Sequence, residues 1–409
     1  MRVQSTITWE TDAVLESGIN VVECKGLGHP DTLADHLAEA LSRRYAAYTL
    51  DTCGAVLHHN FDKLALLGGA SHVTYGGGHM ASPVRVLVNG RISRTFAGKR
   101  LPVESLIGEV VDEFFSTRLP LLGKHYQVEL NLTSNPSPGA VRATEETTVR
   151  EKWFDPAGIE DLREHTQLIS NDTSMGTGFA PEHPTERFVR ELTASLSSDM
   201  GMRRFWPWCG TDVKVMCVSH NRQLDVVCAV PQISGFTASR VEYQANLKTV
   251  RQFVEEQAAS AFPGWEVHVR INNRDIPDKD ELYLTVTGSS IESGDEGVVG
   301  RGNRHTGLIS PTRPINLEGV SGKNPVYHVG KLYNLAAQDI AHHLHASTGA
   351  RIEVFLVSAT GQELTKPWRI HIRSDGNPDT TGAEQLVRER LRAIPELTNR
   401  LIAGDIPTA

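Results

Sequence analysis

The sequence lacks any long apolar run, and this absence excludes one class of protein. Its 409 residues contain no stretch that approaches about 18 consecutive apolar side chains, the length that a membrane-spanning helix needs. The opening segment, MRVQSTITWETDAV, also lacks an apolar core of signal-peptide length. We therefore expect a cytoplasmic protein that does not bind a membrane.

Cysteine is scarce, and its spacing excludes two kinds of stabilising site. The number of cysteines is odd and no two are spaced as C-x-x-C, so we expect neither a disulfide framework nor a structural zinc site. The five cysteines are Cys24, Cys53, Cys209, Cys217 and Cys228. Reduced, partly buried thiols are typical of a cytoplasmic protein.

Clustered positive charge is also lacking. The formal net charge is −8, and the basic residues form no stripe of the kind that binds nucleic acid, so we expect no nucleic-acid partner. Hydrophobic residues make up 39% and charged residues 22% of the chain, as in an ordinary globular protein. The length predicts two or three domains. The isolated cations in glycine-rich segments suit a small anionic ligand better than a polymer.

The two common nucleotide-binding motifs are missing as well. A P-loop needs G-x-x-x-x-G-K-[ST], but GVSGKNP has only two residues between its glycines, and Asn324 follows the lysine. A Rossmann fingerprint needs G-x-G-x-x-G, but GRGNRH ends in His305 and GLGHPD has no third glycine. Any phosphate site in this chain is therefore built differently.

The sequence does contain a regular mixture of strand and helix patterns. Alternating valines in PVRVLVNGRISRTF predict a hairpin that turns at Asn89-Gly90, and DVKVMCVSHNRQLDVVCAV predicts two strands around a polar turn at 220–223. Apolar residues four apart predict a helix over 31–48. Further strands are predicted in WEVHVRINN, LYLTVTGSS, RIEVFLVS and WRIHIRS. Further helices are predicted from Pro184 and in SRVEYQANLKTVRQFVEEQAASAF, GKLYNLAAQDIAHHLHAS and GAEQLVRERLRAIPELTNRLI.

Hairpins grouped with helices on one side predict an α+β fold. We divide the chain into an N-terminal unit over 1–140, a middle unit over 141–280 and a C-terminal unit over 281–409. The middle unit includes a polar connection over 133–165, and the borders of the units can interleave.

The first candidate for chemistry is the segment KGLGHPDTLAD. Gly26 and Gly28 precede His29-Pro30-Asp31, and proline favours the first position of a helix. We therefore expect His29 and Asp31 at a helix N-terminus, which attracts phosphate. Asp31 would repel a phosphate directly, so we interpret it as a ligand of Mg²⁺ between the two. An ordinary capped helix is the alternative.

Three further segments carry candidate groups. In GTDVKVM, Asp212 and Lys214 point to the same face of a strand, where they could hold ribose and phosphate; a surface ion pair is the alternative. NDTSMGTGFAP, residues 171–181, is either a mobile gate or a turn. The pairs His58-His59 and His342-His343 resemble metal ligands, but the second pair diverges by about 100° on a helix and is interpreted as structural.

Glycine-rich segments of the last third gather most of the candidate cations. SGDEGVVGRGNR and SGKNPVYHVGK contain Arg301, Arg304, Lys323 and Lys331. Together with Lys214, these cations favour a polyphosphate ligand bound with Mg²⁺. The glycines would let the backbone approach such a ligand closely.

At this point the sequence resembles a known family. The segments that carry the resemblance are GLGHPDTLAD, HHNFDKLALLGG, NDTSMGTGFAP, GTDVKVM and YLTVTGSSIESGDEGVVGRGNRHTGLISPTRP with SGKNPVYHVGKLYN. They resemble S-adenosylmethionine synthetase (methionine adenosyltransferase) of the archaeal-type branch, in the family's order from about residue 20 to 335.

The resemblance implies an α+β fold of three similar units around a pseudo-threefold axis, and a homodimer with active sites at the subunit interface. It also implies that the sulfur of methionine attacks C5′ of ATP. The tripolyphosphate that leaves is then cleaved to pyrophosphate and phosphate. The implied cofactor is Mg²⁺, with K⁺ as a further candidate.

The resemblance also assigns roles to individual residues. His29 is similar to the histidine near the breaking C5′–O bond, and Asp31 to a Mg²⁺ ligand. The phosphate-binding cations would be Lys214, Arg301 and Lys323. Asp212 resembles the ribose-binding aspartate. The other residues expected on the ATP side are Glu23, Asp172, Asp295, Arg304 and Lys331.

The amino-acid side of the implied site departs from the family pattern. The candidates on this side are Asn135, Phe61, Asp62, Met175 and Tyr327. All except Asp62 replace the residue that is usual there, and Ala65 stands where a glutamate is usual. One alternative is therefore the same transfer to a methionine analogue or another small nucleophile. A further alternative is a non-catalytic, nucleotide-binding partner subunit.

Overall fold

Alternating apolar residues build three main sheets in this computed structural model, which describes residues 5–15, 18–135, 149–162 and 167–408. The strands in chain order are β1 (Thr6–Glu10), β2 (Ile19–Lys25), β3 (His59–Asn60), β4 (Ala65–Leu67), β5 (Ala70–Thr74), β6 (Gly77–Ser82), β7 (Val84–Ile92), β8 (Thr95–Phe96), β9 (Lys99–Arg100), β10 (Tyr126–Thr133), β11 (Met175–Ala180), β12 (Lys214–His220), β13 (Gln223–Ala229), β14 (Gln232–Ile233), β15 (Glu266–Ile271), β16 (Leu284–Thr285), β17 (Gly297–Val298), β18 (Ile352–Val357) and β19 (Arg369–Ser374).

The helices of the same residues are α1 (Pro30–Cys53), α2 (Val103–Arg118), α3 (Val149–Lys152), α4 (Pro184–Ser197), α5 (Arg240–Ala261), α6 (Val329–Thr348), α7 (Thr380–Arg392) and α8 (Ile394–Ala403). None of these helices is long and apolar enough to cross a membrane, within the ranges that the structure describes. The mixture of sheets and helices confirms the predicted α+β class.

Each main sheet packs with helices around its own apolar core. Sheet I has the strand order β10-β7-β4-β17, with β3 beside β7, and packs with α1 and α2. Sheet II has the order β15-β13-β12-β2 and packs with α4 and α5. Sheet III has the order β1-β19-β18-β11 and packs with α6, α7 and α8.

The three sheets do not follow one another along the chain. Sheet III takes its strands from both ends and from the middle, because β1 pairs with β19 and β11 pairs with β18. Sheet II contains β2, and sheet I contains β17. The division into three units with interleaved borders stays a prediction, and most of the connection expected over 133–165 lies outside the described residues.

The helix α1 follows the sequence pattern closely. His29 caps it, Pro30 occupies its first turn, and Gly54 ends it with a left-handed φ of 77°. The predicted apolar row, Leu33, Leu37 and Leu41 among its members, is buried in the core of sheet I. The predicted hairpin of β12 and β13 is also confirmed, with its turn at 221–222.

The hairpin predicted at Asn89-Gly90 is wrong. The strand β7 runs straight through both residues because it has partners on each side, β10 in parallel and β3 in antiparallel pairing. A Cβ atom on Gly90 would lie 2.0 Å from the carbonyl oxygen of Asn60. The glycine therefore permits a close strand approach instead of a turn.

Two other predicted elements are shorter than expected. In LYLTVTGSS only Leu284–Thr285 is a strand, because the Glu292 carboxylate accepts the next backbone N–H groups, from Val286 and Thr287. The last predicted helix is divided into α7 and α8 at Ala393. Pro395, in the first turn of α8, has no N–H to continue a single helix.

Candidate active site

Three carboxylates on α1 organise the loops that carry the candidate cations. Asp31, Asp35 and Glu39 are spaced four residues apart, so they lie along one face of the helix, and all three are buried. We call them the acidic row. The glycine-rich segment over 297–304 and the segment around Lys323 lie against this row.

Each member of the acidic row accepts hydrogen bonds from one part of these loops. Asp31 Oδ1 accepts from the Val298 N–H at 3.0 Å. Asp35 accepts from the N–H groups of Gly300 and Gly302 at 2.8 and 3.1 Å. The next member, Glu39, accepts from the Gly322 N–H at 2.9 Å and from Lys331 Nζ at 2.7 Å. The row therefore fixes the path of both cation-bearing segments.

The glycines of VVGRGNRHTG permit this close approach to the helix. A Cβ atom on Gly302 would lie 2.2 Å from Asp35 Oδ2, and one on Gly297, just before the segment, would lie 1.9 Å from the carbonyl oxygen of Pro30. Gly300 has a left-handed φ of 87°. In the structure these glycines let the backbone of the segment approach α1. Their approach to a polyphosphate stays a prediction.

A cleft of about 830 Å³ opens beside the N-terminus of α1. Four residues predicted from the sequence line it together: His29, Asp212, Lys214 and Asp295. Its volume lies in the upper part of the range of small-molecule sites, about 300–1,000 Å³, and suits a nucleotide. We call it the nucleotide cleft.

Asp212 and Asp295 meet at one hydroxyl in the nucleotide cleft. The Ser290 hydroxyl lies 2.6 Å from Asp212 Oδ2 and 3.0 Å from Asp295 Oδ2, and the Ser290 N–H also donates to Asp212. Burial raises the pKa of Asp212, and these hydrogen bonds oppose that rise. Acceptor oxygens of this kind can hold ribose hydroxyls.

His29 is held as a neutral ring with a defined tautomer. Burial lowers its pKa below the ordinary value of 6.5, against the raising effect of Asp212. Its Nδ1 accepts a hydrogen bond from the Asp31 N–H at 3.2 Å. In a neutral imidazole the proton then resides on Nε2, so His29 can donate a hydrogen bond from that atom.

A chain of alternating charges runs from the nucleotide cleft to the glycine-rich segment. Lys214 Nζ lies 3.0 Å from Glu23, and Lys25 Nζ lies 2.9 Å from Asp31 and donates to the carbonyl oxygen of Arg301 at 2.6 Å. Lys25 and Lys214 are paired across β2 and β12. Sequence reasoning missed Lys25 because β2 was not among the predicted strands. The alternation of Glu23 with Lys25 would have indicated the strand, but not the contact of Lys25 with Arg301.

The two arginines of VVGRGNRHTG have different surroundings. The Arg301 side chain is exposed. The Arg304 guanidinium donates to the carbonyl oxygens of Gly300 and Gly302 at 2.5 and 2.8 Å, and burial lowers its pKa. Arg304 therefore holds its own loop, whereas Arg301 is oriented towards solvent and is available to a ligand.

Lys323 and Lys331 do not line the nucleotide cleft. Lys323 Nζ donates to Glu318 Oε2 and to the Gly319 carbonyl oxygen, both at 2.6 Å, and lies 4.0 Å from Asp62. Lys331 is 1% exposed and pairs with Glu39, so its ammonium is enclosed by protein.

Glu318 is another residue that the sequence did not single out. Besides Lys323, it accepts from the Ser174 hydroxyl at 2.6 Å, so it joins the segment 171–181 to Lys323. Burial opposes ionisation of Glu318, but the hydrogen bonds from Lys323 and Ser174 outweigh it and lower its pKa.

The residues predicted on the amino-acid side are distributed over several environments. The Phe61 ring is fully buried in the core of sheet I. Asp62 pairs with Lys63 at 2.5 Å. The Tyr327 hydroxyl lies 2.7 Å from His58 Nδ1. Phe61 and Asp62 lie beside Lys323, since the Phe61 N–H donates to the carbonyl oxygen of Gly322 at 2.8 Å and Asp62 lies 4.0 Å from Lys323 Nζ.

The remaining predicted residues lie on or near the segment 171–181 or at the end of a described range. Met175 begins β11, and Asp172 is exposed, with Oδ1 accepting from the Thr173 N–H at 2.7 Å. Asn135 is exposed, and its N–H donates to Thr133 Oγ1 at 3.0 Å. None of these three lines the nucleotide cleft as it is described.

Magnesium associated with nucleotide phosphates needs only one or two protein carboxylates. Of the acidic row, Asp31 is the member at the N-terminus of α1 that could supply one, and its two oxygens already accept from the Val298 N–H and from Lys25 Nζ. Within the described ranges, no group of three or more acidic, histidine or cysteine side chains could hold a metal alone. Those ranges therefore contain no metal site that is built from such protein side chains alone.

Comparison with known proteins gives one consistent family. The family model of S-adenosylmethionine synthetase (AdoMet synthetase) matches residues 6–405. An S-adenosylmethionine synthase of Aeropyrum pernix is 36% identical over 401 residues, which is 95% of each chain. One of Natronomonas pharaonis is 34% identical over 408 residues, covering 97% of this chain and 96% of the relative.

A solved structure supports the fold. An unusual S-adenosylmethionine synthetase from Campylobacter jejuni matches with a TM-score of 0.58, covering 95% of this chain and 94% of that one. The sequence identity of this pair is 13%, so the likeness concerns the fold alone.

Proposed function

This chain belongs to the S-adenosylmethionine synthetase family, and we infer that it transfers the adenosyl group of ATP to the sulfur of methionine. The tripolyphosphate that leaves is cleaved to pyrophosphate and phosphate. The observation that carries this inference is the nucleotide cleft, where a neutral histidine, a lysine and two carboxylates meet at the start of α1.

The attack on C5′ needs no general base. A neutral thioether becomes a sulfonium without losing a proton, so the chemical demand falls on the leaving group, which gathers negative charge. Donors preorganised for developing charge contribute about 3–4 kcal/mol each in oxyanion sites. His29 Nε2–H is such a donor, and its fixed tautomer makes it available at the C5′ oxygen.

The surrounding residues have complementary tasks in this proposal. Asp212 holds the ribose hydroxyls, and Lys214, Arg301 and Lys323 bind the phosphates. Asp31 would hold Mg²⁺, which when bound neutralises charge on the triphosphate. A potassium ion stays a candidate second cation. Support comes from the position of Lys214 in the cleft and from the exposed side chain of Arg301.

We further propose a cytoplasmic homodimer with active sites at the subunit interface and three units around a pseudo-threefold axis. The separation of the predicted residues supports a shared site. His29 and Lys214 line the nucleotide cleft, whereas Lys323 lies beside Glu318 and Asp62. A second copy of the chain could supply Lys323 to the cleft of the first.

A product assay tests the function. The purified chain is incubated with ATP, Mg²⁺, K⁺ and methionine, and the products are identified by mass spectrometry. We expect S-adenosylmethionine, pyrophosphate and phosphate. Absence of product with methionine, but transfer to a member of a panel of methionine analogues, would favour the analogue reading. Absence of any transfer would favour the non-catalytic partner subunit.

A further inference from the structure

Two histidines face each other on the short hairpin of β5 and β6. His72 and His79 are directly opposite in the antiparallel register, and their ring centroids are 5.1 Å apart. The ring planes are tilted by 52°, so the rings are not stacked face to face. The two residues are distant from the nucleotide cleft in their lining and in their contacts. We call them the histidine pair.

The histidine pair lies on the outer face of the hairpin. Both side chains are exposed, whereas the neighbouring Met80 is buried and the Ser71 hydroxyl donates to Glu292 Oε1 at 3.0 Å. Neither histidine forms a hydrogen bond or an ion pair with any other residue that the structure describes. Their ring nitrogens are therefore available to a ligand from solvent.

The hairpin that carries the pair is held in place at its turn. The Gly76 N–H donates to the carbonyl oxygens of Ser234 and Thr237, at 3.0 and 2.9 Å. The Tyr75 hydroxyl donates to Asp280 Oδ1 at 2.7 Å. A ligand that bridges the two strands would therefore order little further backbone, and preorganisation of this kind favours binding.

The separation of the rings fits two imidazoles on one metal ion. With Zn–N bonds of about 2.0–2.1 Å at the tetrahedral angle, two imidazole rings would have centres about 5.2 Å apart. At the right angle of a square-planar ion, the same bonds would give about 4.5 Å. The observed 5.1 Å matches the tetrahedral arrangement. Exposed rings can turn about their side-chain bonds to direct one nitrogen each at the same ion.

The histidine pairs noticed in the sequence are engaged in other ways. His58 and His59 are buried. On α6, His342 Nε2 accepts from the Gln338 amide at 2.9 Å, and the next ring, that of His343, diverges by about 100° around the helix. The pair of β5 and β6 comes together only through strand pairing, so no short motif could indicate it.

We propose that the histidine pair is an exchangeable zinc site, in which His72 and His79 supply one ring nitrogen each and water completes a tetrahedral shell. Imidazole suits zinc, whereas Mg²⁺ prefers oxygen ligands in octahedral geometry. Within the described ranges, no third acidic, histidine or cysteine side chain joins the pair, so the ion stays open to water and to exchange. The assignment does not depend on the function inferred above.

Equilibrium dialysis against Zn²⁺, with bound metal measured per chain, tests the site. The variants are His72→Gln, His79→Gln and the double variant. We expect each single variant to lower zinc affinity at one site per chain by about tenfold or more. The double variant should lose no more than either single variant, because the two rings act as one chelating unit. A large excess of Mg²⁺ should not displace the ion from the wild-type chain.

The matched control is His125→Gln, which removes an exposed histidine outside the pair and should leave zinc binding within about twofold of the wild type. Both test positions are exposed and make no hydrogen bond, and either single variant carries the test if the other does not fold. Unchanged zinc binding in the single variants would overturn the proposal. Losses that add up in the double variant would mean two separate ligands, and displacement by Mg²⁺ would mean that the site is not selective for zinc; either result would also overturn it.

Discussion

His29 combines burial with a fixed proton, and this combination makes its charge state testable. Its Nδ1 accepts from the Asp31 N–H, and burial lowers its pKa below 6.5. At neutral pH the ring is therefore uncharged and donates from Nε2. Protonation would turn Nδ1 into a donor and break the contact with the helix N-terminus.

We predict that His29→Asn lowers kcat by about 10²-fold and removes an acid limb from the pH profile. In the wild-type protein, activity should fall as the pH drops through the lowered pKa of His29, that is, below 6.5. The profile of kcat against pH measures this. Asp35 titrates near neutrality in both proteins and cancels in the comparison. His125→Asn, at an exposed position, is the control. A limb of the same shape in His29→Asn would contradict the assignment.

Lys323 offers a second prediction at this scale. Lys323→Ala should lower turnover by at least about 10²-fold, because the leaving group loses one charge-stabilising donor. Steady-state kinetics with ATP and methionine measure the effect. Lys366→Ala is a matched control, since Lys366 is 64% exposed and pairs only locally with Glu363. A rate equal to that of the wild-type chain would mean that Lys323 does not act on phosphate.

Part of this site could be predicted from sequence and part could not. His29 caps α1 and Lys214 begins β12, with Asp212 two residues before that strand, and local patterns of this kind indicate where such side chains lie. Lys25 and Glu318 have roles set by partners that are distant in the sequence, Lys25 through Arg301 and Glu318 through Ser174. No local pattern contains that information.

At the scale of elements, α1 is buried on two sides. Its apolar row begins at Leu33 and its acidic row at Asp31, two positions earlier, which places the rows about 200° apart on the helix. The same spacing of four is visible in the sequence for both rows. Acidic residues on a helix are usually solvated, so only the tertiary structure shows that these three receive hydrogen bonds from the glycine-rich loops.

The acidic row makes stability depend on pH. Burial raises the pKa of Asp35 from 3.8 to about 7, so the folded state holds this proton more tightly than the unfolded chain. The free energy of unfolding should therefore fall as pH rises between these two values, by up to about 1.4 kcal/mol per pH unit relative to Asp35→Asn. Above pH 7 the two curves should run parallel.

Urea unfolding of both proteins at several pH values between 5 and 8 measures this difference. Asp51→Asn is the control, because Asp51 is exposed on the same helix. If the wild-type and Asp35→Asn curves are parallel below pH 7, the Asp35 carboxyl does not titrate in the folded protein as expected.

At the scale of the whole molecule, the shared site predicts complementation between inactive chains. His29→Ala and Lys323→Ala should each be inactive alone. A mixed dimer of the two should regain up to about half of the wild-type activity, because one of its two sites would combine an intact His29 with an intact Lys323 from the other chain. Differently tagged chains, co-purified and assayed, provide the measurement. A mixed dimer without activity would show that both residues serve a site within one chain.

The strand order of sheet III has a consequence for biosynthesis. Thr6 of β1 is paired with Arg369 of β19. The first strand of the described chain therefore cannot pair until one of the last strands has been synthesised. At about 5–20 residues per second, a ribosome needs tens of seconds to make the intervening chain. Throughout that time β1 has no native partner in the sheet. A chain whose translation stops before β19 therefore exposes an unpaired edge that nascent-chain chaperones would need to cover.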